Sequence, residues 1–359
     1  MQAIVKSEMV RHPEAWTIDH PSKPKWNYTQ GLELQAMRGC MPDEEWVRYV
    51  RTYVDALVDS IGAIKGYKME AYKLDDVNSG KLLLPLYDLT GDERYRVAIE
   101  TLMEQLRRQP RCPERGFWHK QIYPQQMWLD GLYMAMPFYT TYALRFMDGY
   151  DRKEVLADIE YQFELIYHHT LCEGCGLLHH AWDAAAVQPW ADKETGMSAH
   201  AWGRAEGWYL MALVDVLEQI DCNTLKIILK DLSSKLLKLQ HEETGTWQQV
   251  LDMPGMEGNY QEMTCTAMFA YAFLKGHRLG VLDKRFKVAA EKALEGMRKH
   301  YMSVDSDGLI TLHQCCAVAG LSESRDGSFE YYLSEPRVDN DPKGIGPLLM
   351  ALKEHERVR

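Results

Sequence analysis

The sequence predicts an all-α protein, an (α/α)6 barrel of six helical hairpins, from three observations. A unit recurs in which a glycine or other small residue opens a helix that is apolar on nearly every side, and a turn leads to a helix with one polar face. The apolar members begin at Gly31, Gly80, Gly131, Gly207, Thr266 and Gly346. A helix buried all round alternating with one buried on a single face is what two concentric rings demand. The third observation is unequal spacing: 49 residues separate Gly31 from Gly80 and 51 separate Gly80 from Gly131, but 76 separate Gly131 from Gly207. A protein-binding solenoid stacks near-identical units, whereas an enzyme grows long loops on the face that does its chemistry.

Residues 1–25 read as an N-terminal segment packed on the barrel, and 26–359 as a single catalytic barrel. The apolar run "GLELQAM" opens it, followed by "GKLLLPLYDL" and its partner "DERYRVAIETLMEQL", where Tyr95, Ile99, Leu102 and Leu106 recur at helical spacing. "GLYMAMPFYTTYALRF" pairs with "RKEVLADIEYQFELI", in which Val155, Ile159, Phe163 and Ile166 form one stripe. "GWYLMALVDVLEQI", "TAMFAYAFLKG" and "GPLLMALKEH" complete the inner set, and the last outer helix is either missing or supplied by the N-terminal segment. Short hairpins are expected around "TWQQV" and "GLITL".

Hydrophobic residues at 46% and charged residues at 26% are those of a globular protein rather than a disordered one. The net charge of -11, with no run of Lys and Arg, excludes wholesale nucleic-acid binding. An anionic substrate would need a local cation. No apolar run reaches the ~20 residues that span a bilayer, and the N-terminus lacks the apolar core of a signal peptide. As written the chain reads as cytoplasmic, or periplasmic if a signal peptide has been removed. It is expected to be a monomer or a weak homo-oligomer. The eight cysteines read mostly as buried free thiols, but "HHTLCEGCGLLHH" holds His168, His169, Cys172, Cys175, His179 and His180, a set able to supply tetrahedral zinc ligands. Gly174 and Gly176 fit a tight turn after a helix equally well.

If the inner helices run the same way, residues just before each converge on one mouth. This selects Tyr28, Asp75 and Asp76, Trp128 and Asp130, Trp202 and Arg204, and Asn259 and Tyr260. Carboxylates supply acid and base, rings stack on sugars, and arginine grips a carboxylate. Each has a plainer explanation: Asp130 and Asp75 or Asp76 as helix N-caps, the tryptophans as plugs, Arg204 in a structural ion pair with Glu206 or Asp215. Their coincidence on one rim is what capping does not require. A helix N-terminus favours the carboxylate anion and hampers a proton donor, so Asp130 as a donor needs Asp75 nearby or burial among rings.

The blocks "WNYTQGL", "LDDVNSGKLLLPLYDLTGDERY", "GFWHKQIYPQQMWLDGLYMAMPF", "HAWD", "WGRAEGWYLMALVDVL" and "NYQEMTCTAMFAYAFLKG" together resemble the unsaturated rhamnogalacturonyl hydrolases of glycoside hydrolase family 105 and, more distantly, the unsaturated glucuronyl hydrolases of family 88. The resemblance runs in order from about Trp26 to Leu349. It implies an (α/α)6 barrel with no metal or cofactor. The implied reaction removes a 4,5-unsaturated galacturonyl residue from the non-reducing end of lyase-generated rhamnogalacturonan (pectin) oligosaccharides by hydrating the C4=C5 double bond. By resemblance Asp130 is the general acid and base, and the second acid is Asp75 or its neighbour Asp76. Tyr28, His119, Lys120, Trp128, His180, Trp202 and Arg204 line the site, with His119, Lys120 and Arg204 toward the uronate. Glu206 is an extra acid near the mouth, and "CEGCG" lies outside the pattern. The alternatives are an unsaturated glucuronyl hydrolase acting on other lyase products, or a zinc-dependent or epimerase-like enzyme on the same barrel.

Overall fold

A computed structural model describes residues 1–359. In chain order the helices are α1 (Gln2–Arg11), α2 (Tyr28–Met37), α3 (Asp43–Leu57), α4 (Leu74–Asn78), α5 (Gly80–Thr90), α6 (Glu93–Arg108) and α7 (Leu129–Phe146). They continue with α8 (Gly149–Thr170), α9 (Gly203–Leu217), α10 (Asn223–Leu239), α11 (Met263–Arg278), α12 (Lys284–His300), α13 (Phe329–Ser334) and α14 (Pro342–Arg357). Packing runs from α2 through α4 and α5 to α7, then α9, α11, α14 and back to α2, a closed inner ring. Every residue of α9 is buried, whereas α6 buries one stripe that includes Tyr95, Ile99, Leu102 and Leu106. The all-round and one-sided burial read from the sequence is the burial found.

The sixth inner helix, α14, packs between α11 and α2. Helix α1 docks on the outside with Ile4 and Val5 buried. Ser7 Oγ accepts the Ile310 N–H at 2.9 Å and Arg11 donates to Thr311 Oγ1 at 3.1 Å.

Five of the six inner helices start earlier than the small residue at their head suggests, because these residues serve packing rather than initiation, and only α5 begins at its glycine, Gly80. A Cβ at Gly31 would lie 2.7 Å from the Cα of Ser79, so α2 and the α4–α5 junction approach backbone to backbone. Proline is tolerated inside α7 for a visible reason. Pro137 cannot donate to the Tyr133 carbonyl, and Lys81 Nζ on α5 does so instead at 2.7 Å.

Three two-stranded ribbons decorate the ends: β1 (Gln126–Trp128) with β2 (Ala181–Asp183), β3 (Met302–Val304) with β4 (Ile310–Leu312), and β5 (Cys315–Cys316) with β6 (Arg337–Val338). The hairpin expected at "GLITL" is β3–β4. Around "TWQQV" the chain also folds back, with Gln248 bridging Gln261, the Gln249 N–H donating to the Tyr260 carbonyl at 2.9 Å and the Glu262 N–H to the Trp247 carbonyl at 2.8 Å, but the pairing amounts to isolated bridges, with Val250 bridging Trp202 on the other side. The β1–β2 ribbon joins segments more than 50 residues apart, and no local pattern announces it.

Candidate active site

Of the sequence-selected residues, Tyr28, Asp75, Asp76, Asp130 and Arg204 fall in the first turns of their helices, whereas Trp128 and Trp202 are N-caps and Asn259 and Tyr260 lie in the loop before α11. Asp130 is the second residue of α7, whose N-cap is Trp128, and no side chain caps that helix. The capping explanation for Asp130 therefore fails. The same holds for Asp75, second in α4 behind Lys73.

Two histidines meet the two carboxylates through one repeated device. The first N–H of α4, on Leu74, donates to the His119 carbonyl at 3.1 Å, and the His119 ring then reaches the next residue, with Nε2 at 3.6 Å from Asp75. The first N–H of α7, on Leu129, donates to the His180 carbonyl at 3.1 Å, and His180 Nε2 lies 3.3 Å from Asp130. Donors left open by the helix start thus fix both contacts. The register of β1 on β2, Trp128 opposite Ala181, holds the second in place.

The two carboxylates differ in surroundings. Lys120 Nζ contacts Asp75 at 2.6 Å. Burial would raise the Asp75 pKa, but Lys120 and then His119 outweigh it and hold the carboxyl below its ordinary value, while Lys120 is held above its own despite burial. Asp75 is an anion in a fixed ion pair. Asp76 points about 100° away around the helix and is raised to about 6 by burial and by Asp75. It meets neither histidine by salt bridge, so of the two neighbours Asp75 is the one on the rim. No lysine or arginine pairs with Asp130. Its 3.3 Å approach to His180 lacks hydrogen-bond alignment, and Oδ2 and Nε2 are both buried without a bonded partner.

Around these groups the rings form a wall. Trp128 stacks on His119 at 4.8 Å and on Tyr123 at 4.9 Å, and meets His180 edge-on at 5.2 Å. His180 Nδ1 bonds the Tyr332 hydroxyl at 2.9 Å, and Tyr332 stacks on Trp202 at 5.8 Å. Burial pushes His119 down to about 4, against the pull of Asp75, which favours its neutral imidazole. Tyr28 is raised by burial first and then by Asp75, with Arg204 opposing and Asp341 and Asp130 adding.

Arg204 does not lie open on the rim. It is 1% exposed, and it donates to Thr264 Oγ1 at 2.9 Å, to the Ala317 carbonyl at 3.3 Å and to the Cys316 carbonyl, with Glu262 at 4.0 Å. The ion partner is Glu262, not Glu206 or Asp215. Glu206 is also not at the opening: it is 0% exposed and accepts the Leu178 N–H at 3.1 Å, bracing the loop that carries His180. Asn259 likewise ties loop carbonyls, those of Val250 and Met253. Tyr123 and Tyr332 escaped sequence reasoning. Tyr123 sits within the quoted "QIYPQQMW" and its aromatic neighbours were a signal; Tyr332 is brought in by α13 from far along the chain and had none.

The zinc-ligand set divides. Cys172, Cys175 and His179 come together. His180 turns to Asp130, and His169 stacks on Trp182 at 3.6 Å and pairs with Glu114. A polar cavity of about 600 Å³ opens toward the opposite end of the barrel, lined by Asp215 and Lys275 from the C-terminal halves of α9 and α11 and by Lys81 from the start of α5. No histidine lines it, unlike the N-terminal mouth where two histidines face two carboxylates.

Comparison with known proteins bears on the fold and the reaction class. The family model described as Glycosyl Hydrolase Family 88 matches residues 1–359. A solved glycoside hydrolase from family 105 of C. acetobutylicum ATCC 824 superposes with a TM-score of 0.93 at 39% identity, covering 99% of each chain. The unsaturated rhamnogalacturonyl hydrolase YesR of Bacillus subtilis (strain 168) is 28% identical over 250 residues, 66% of each protein. Protein Atu3128 of Agrobacterium fabrum is 37% identical over 232 residues, 62% of this chain and 97% of that one. The barrel, the carboxylate-bearing mouth and these matches converge: the chain belongs to glycosyl hydrolase family 88, with close structural kinship to family 105, and is a glycosidase of the unsaturated glycosyl hydrolase type.

Proposed function

We propose that the enzyme removes a 4,5-unsaturated galacturonyl residue from the non-reducing end of rhamnogalacturonan oligosaccharides left by a lyase. The observation that carries this is the division of labour between the carboxylates: Asp75 neutralised by Lys120, Asp130 free of any cation and facing His180. The relative named for rhamnogalacturonyl hydrolysis supports the choice of sugar.

Asp130 gives a proton to C4 of the vinylic uronate. Positive charge develops at C5 and spreads to the ring oxygen, and water adds at C5 as Asp130 recovers a proton from it. The hemiketal opens and the aglycone leaves. The anomeric carbon is not the electrophile, so carboxylate-spacing rules for ordinary glycosidases do not apply. Lys120 and neutral His119 face the uronate carboxylate, with Asp75 holding Lys120 in place. Trp128, Trp202 and Tyr28 bound the ring, and Arg204 contributes its field from beneath rather than by contact.

The test is loss of the enol-ether absorbance when enzyme meets lyase-treated rhamnogalacturonan, beside the same assay on unsaturated glucuronyl disaccharides. Faster loss on the galacturonyl substrate is expected, and preference for the glucuronyl one would overturn the sugar assignment. Asp130→Asn should lower turnover by at least about 10³-fold with an unchanged circular dichroism spectrum, the scale of a lost general acid and base. Near-normal rates in that variant would sink the role of Asp130.

A further inference from the structure

Outside the reaction site the molecule gathers a second set of reactive side chains. Two sulfurs, of Cys172 and Cys175, and an imidazole nitrogen of His179 lie within 4.8 Å of one another. The loop that holds them is already shaped. Leu171 bridges Leu178, the Cys172 N–H donates to the Leu177 carbonyl at 2.9 Å, and the Gly176 N–H donates to the Cys172 carbonyl at 2.7 Å. Gly176 turns the chain at φ +71°, with the Lys235 side chain lying across it. The His179 N–H donates to the Thr170 carbonyl at 2.8 Å and closes the base of the hairpin.

His179 is prepared as a ligand. Its Nδ1 faces the Ser198 carbonyl at 2.5 Å, and a carbonyl only accepts, so Nδ1 carries the proton. Nε2 is then left with a free lone pair, buried and without a partner, on a residue 6% exposed. A carbonyl behind the distal ring nitrogen is the usual support of a metal-bound histidine.

The geometry points to a zinc site formed by Cys172, Cys175 and His179, a structural staple separate from the sugar chemistry. Two thiolates and one imidazole favour zinc over the hard cations, and the two-residue gap between the cysteines is that of a metal hook. Tetrahedral zinc sets its ligand atoms about 3.5–3.8 Å apart, so closure from 4.8 Å needs each to move by roughly half an ångström. Side-chain rotation at the two half-buried cysteines supplies that, and their exposure lets solvent take the fourth position. The staple matters because His180 is the next residue. Metal at His179 on one side, and Glu206 holding the Leu178 N–H on the other, clamp the hairpin that delivers His180 to Asp130.

Metal analysis of full-length protein purified under reductant and without chelator tests this. About one zinc per chain is expected for the wild type, and under about one tenth for the Cys172→Ser/Cys175→Ser double variant and for His179→Gln. In chelator-treated wild type, added cobalt should produce a thiolate charge-transfer band with tetrahedral visible bands. Added zinc should slow alkylation of Cys172 and Cys175 at least about tenfold, leaving the six other cysteines unchanged. His179→Gln, which keeps both thiols, guards against a variant that merely fails to fold. Sub-stoichiometric metal in the wild type, with neither a cobalt band nor zinc protection, overturns the site. None of these readouts depends on the sugar assignment.

Discussion

At the scale of single residues, Asp75 and Asp130 show how neighbours divide the work of identical side chains. Lys120 sits on Asp75 and favours its anion, whereas Asp130 pairs with no lysine or arginine and faces the His180 imidazole. Tyr332 extends that arrangement through its bond to His180 Nδ1. Replacing it with phenylalanine keeps the stack on Trp202 and removes only the hydroxyl. Tyr332→Phe should cut kcat by about tenfold with little change in KM, read from steady-state kinetics on the unsaturated substrate. A larger effect on KM than on kcat would assign the tyrosine to sugar binding instead. Asp130 was legible from its place at the junction of an aromatic loop and an apolar helix. Tyr332 was not, because nothing within its own segment shows what it will face.

At the scale of elements, the site depends on how closely helix starts and loops approach. A Cβ on Gly131 would stand 2.9 Å from Leu74 Cδ1 and 3.1 Å from His119 Nδ1, so α7, α4 and the His119 loop all press on this position. Gly131→Ala should shift His119 by a few tenths of an ångström, lowering kcat/KM by about tenfold and stability by under about 2 kcal/mol. Urea titration and kinetics on one preparation separate the two. Glu206 offers a pH test on α9. Burial raises its carboxyl to about 8, with the Leu178 N–H opposing, so the folded state favours the neutral acid. A raised folded pKa means stability is complete below the ordinary value of 4.5 and is lost as pH climbs through about 8. Glu206→Gln, neutral at every pH, should flatten that decline, worth on the order of 4 kcal/mol across the window. Unfolding midpoints at pH 5, 7 and 9 that fall in parallel for both proteins would refute it.

For the whole molecule, closing six inner helices with a common direction puts the carboxylates at one end and a polar cavity at the other. Lys81, second in α5, lines the inner part of that cavity and donates to the Tyr133 carbonyl, and there burial, opposed by Asp215, lowers its ammonium to about 7. With the folded pKa depressed below 10.5, wild-type stability is lost as pH falls from there through about 7. Lys81→Met should remove that slope and leave kcat within about twofold, since Lys81 pairs with neither Asp75 nor Asp130. A large fall in kcat would show the two ends to be coupled. What the sequence determined alone was periodic and local. All-round apolar runs alternating with one-sided stripes dictate nested rings, because burial on two faces or one is written in which residues along a helix are apolar. Ring closure in turn requires that residues such as Tyr28, Asp75, Asp130 and Trp202 share a rim. Only the tertiary structure decided which groups touch. The Trp128–Ala181 register, the approach of Tyr332, the burial of Arg204 and Glu206 and the choice of Asp75 over Asp76 depend on contacts between distant segments. Such contacts leave no period in the chain, because side-chain direction at a helix start is set by the loop that packs against it.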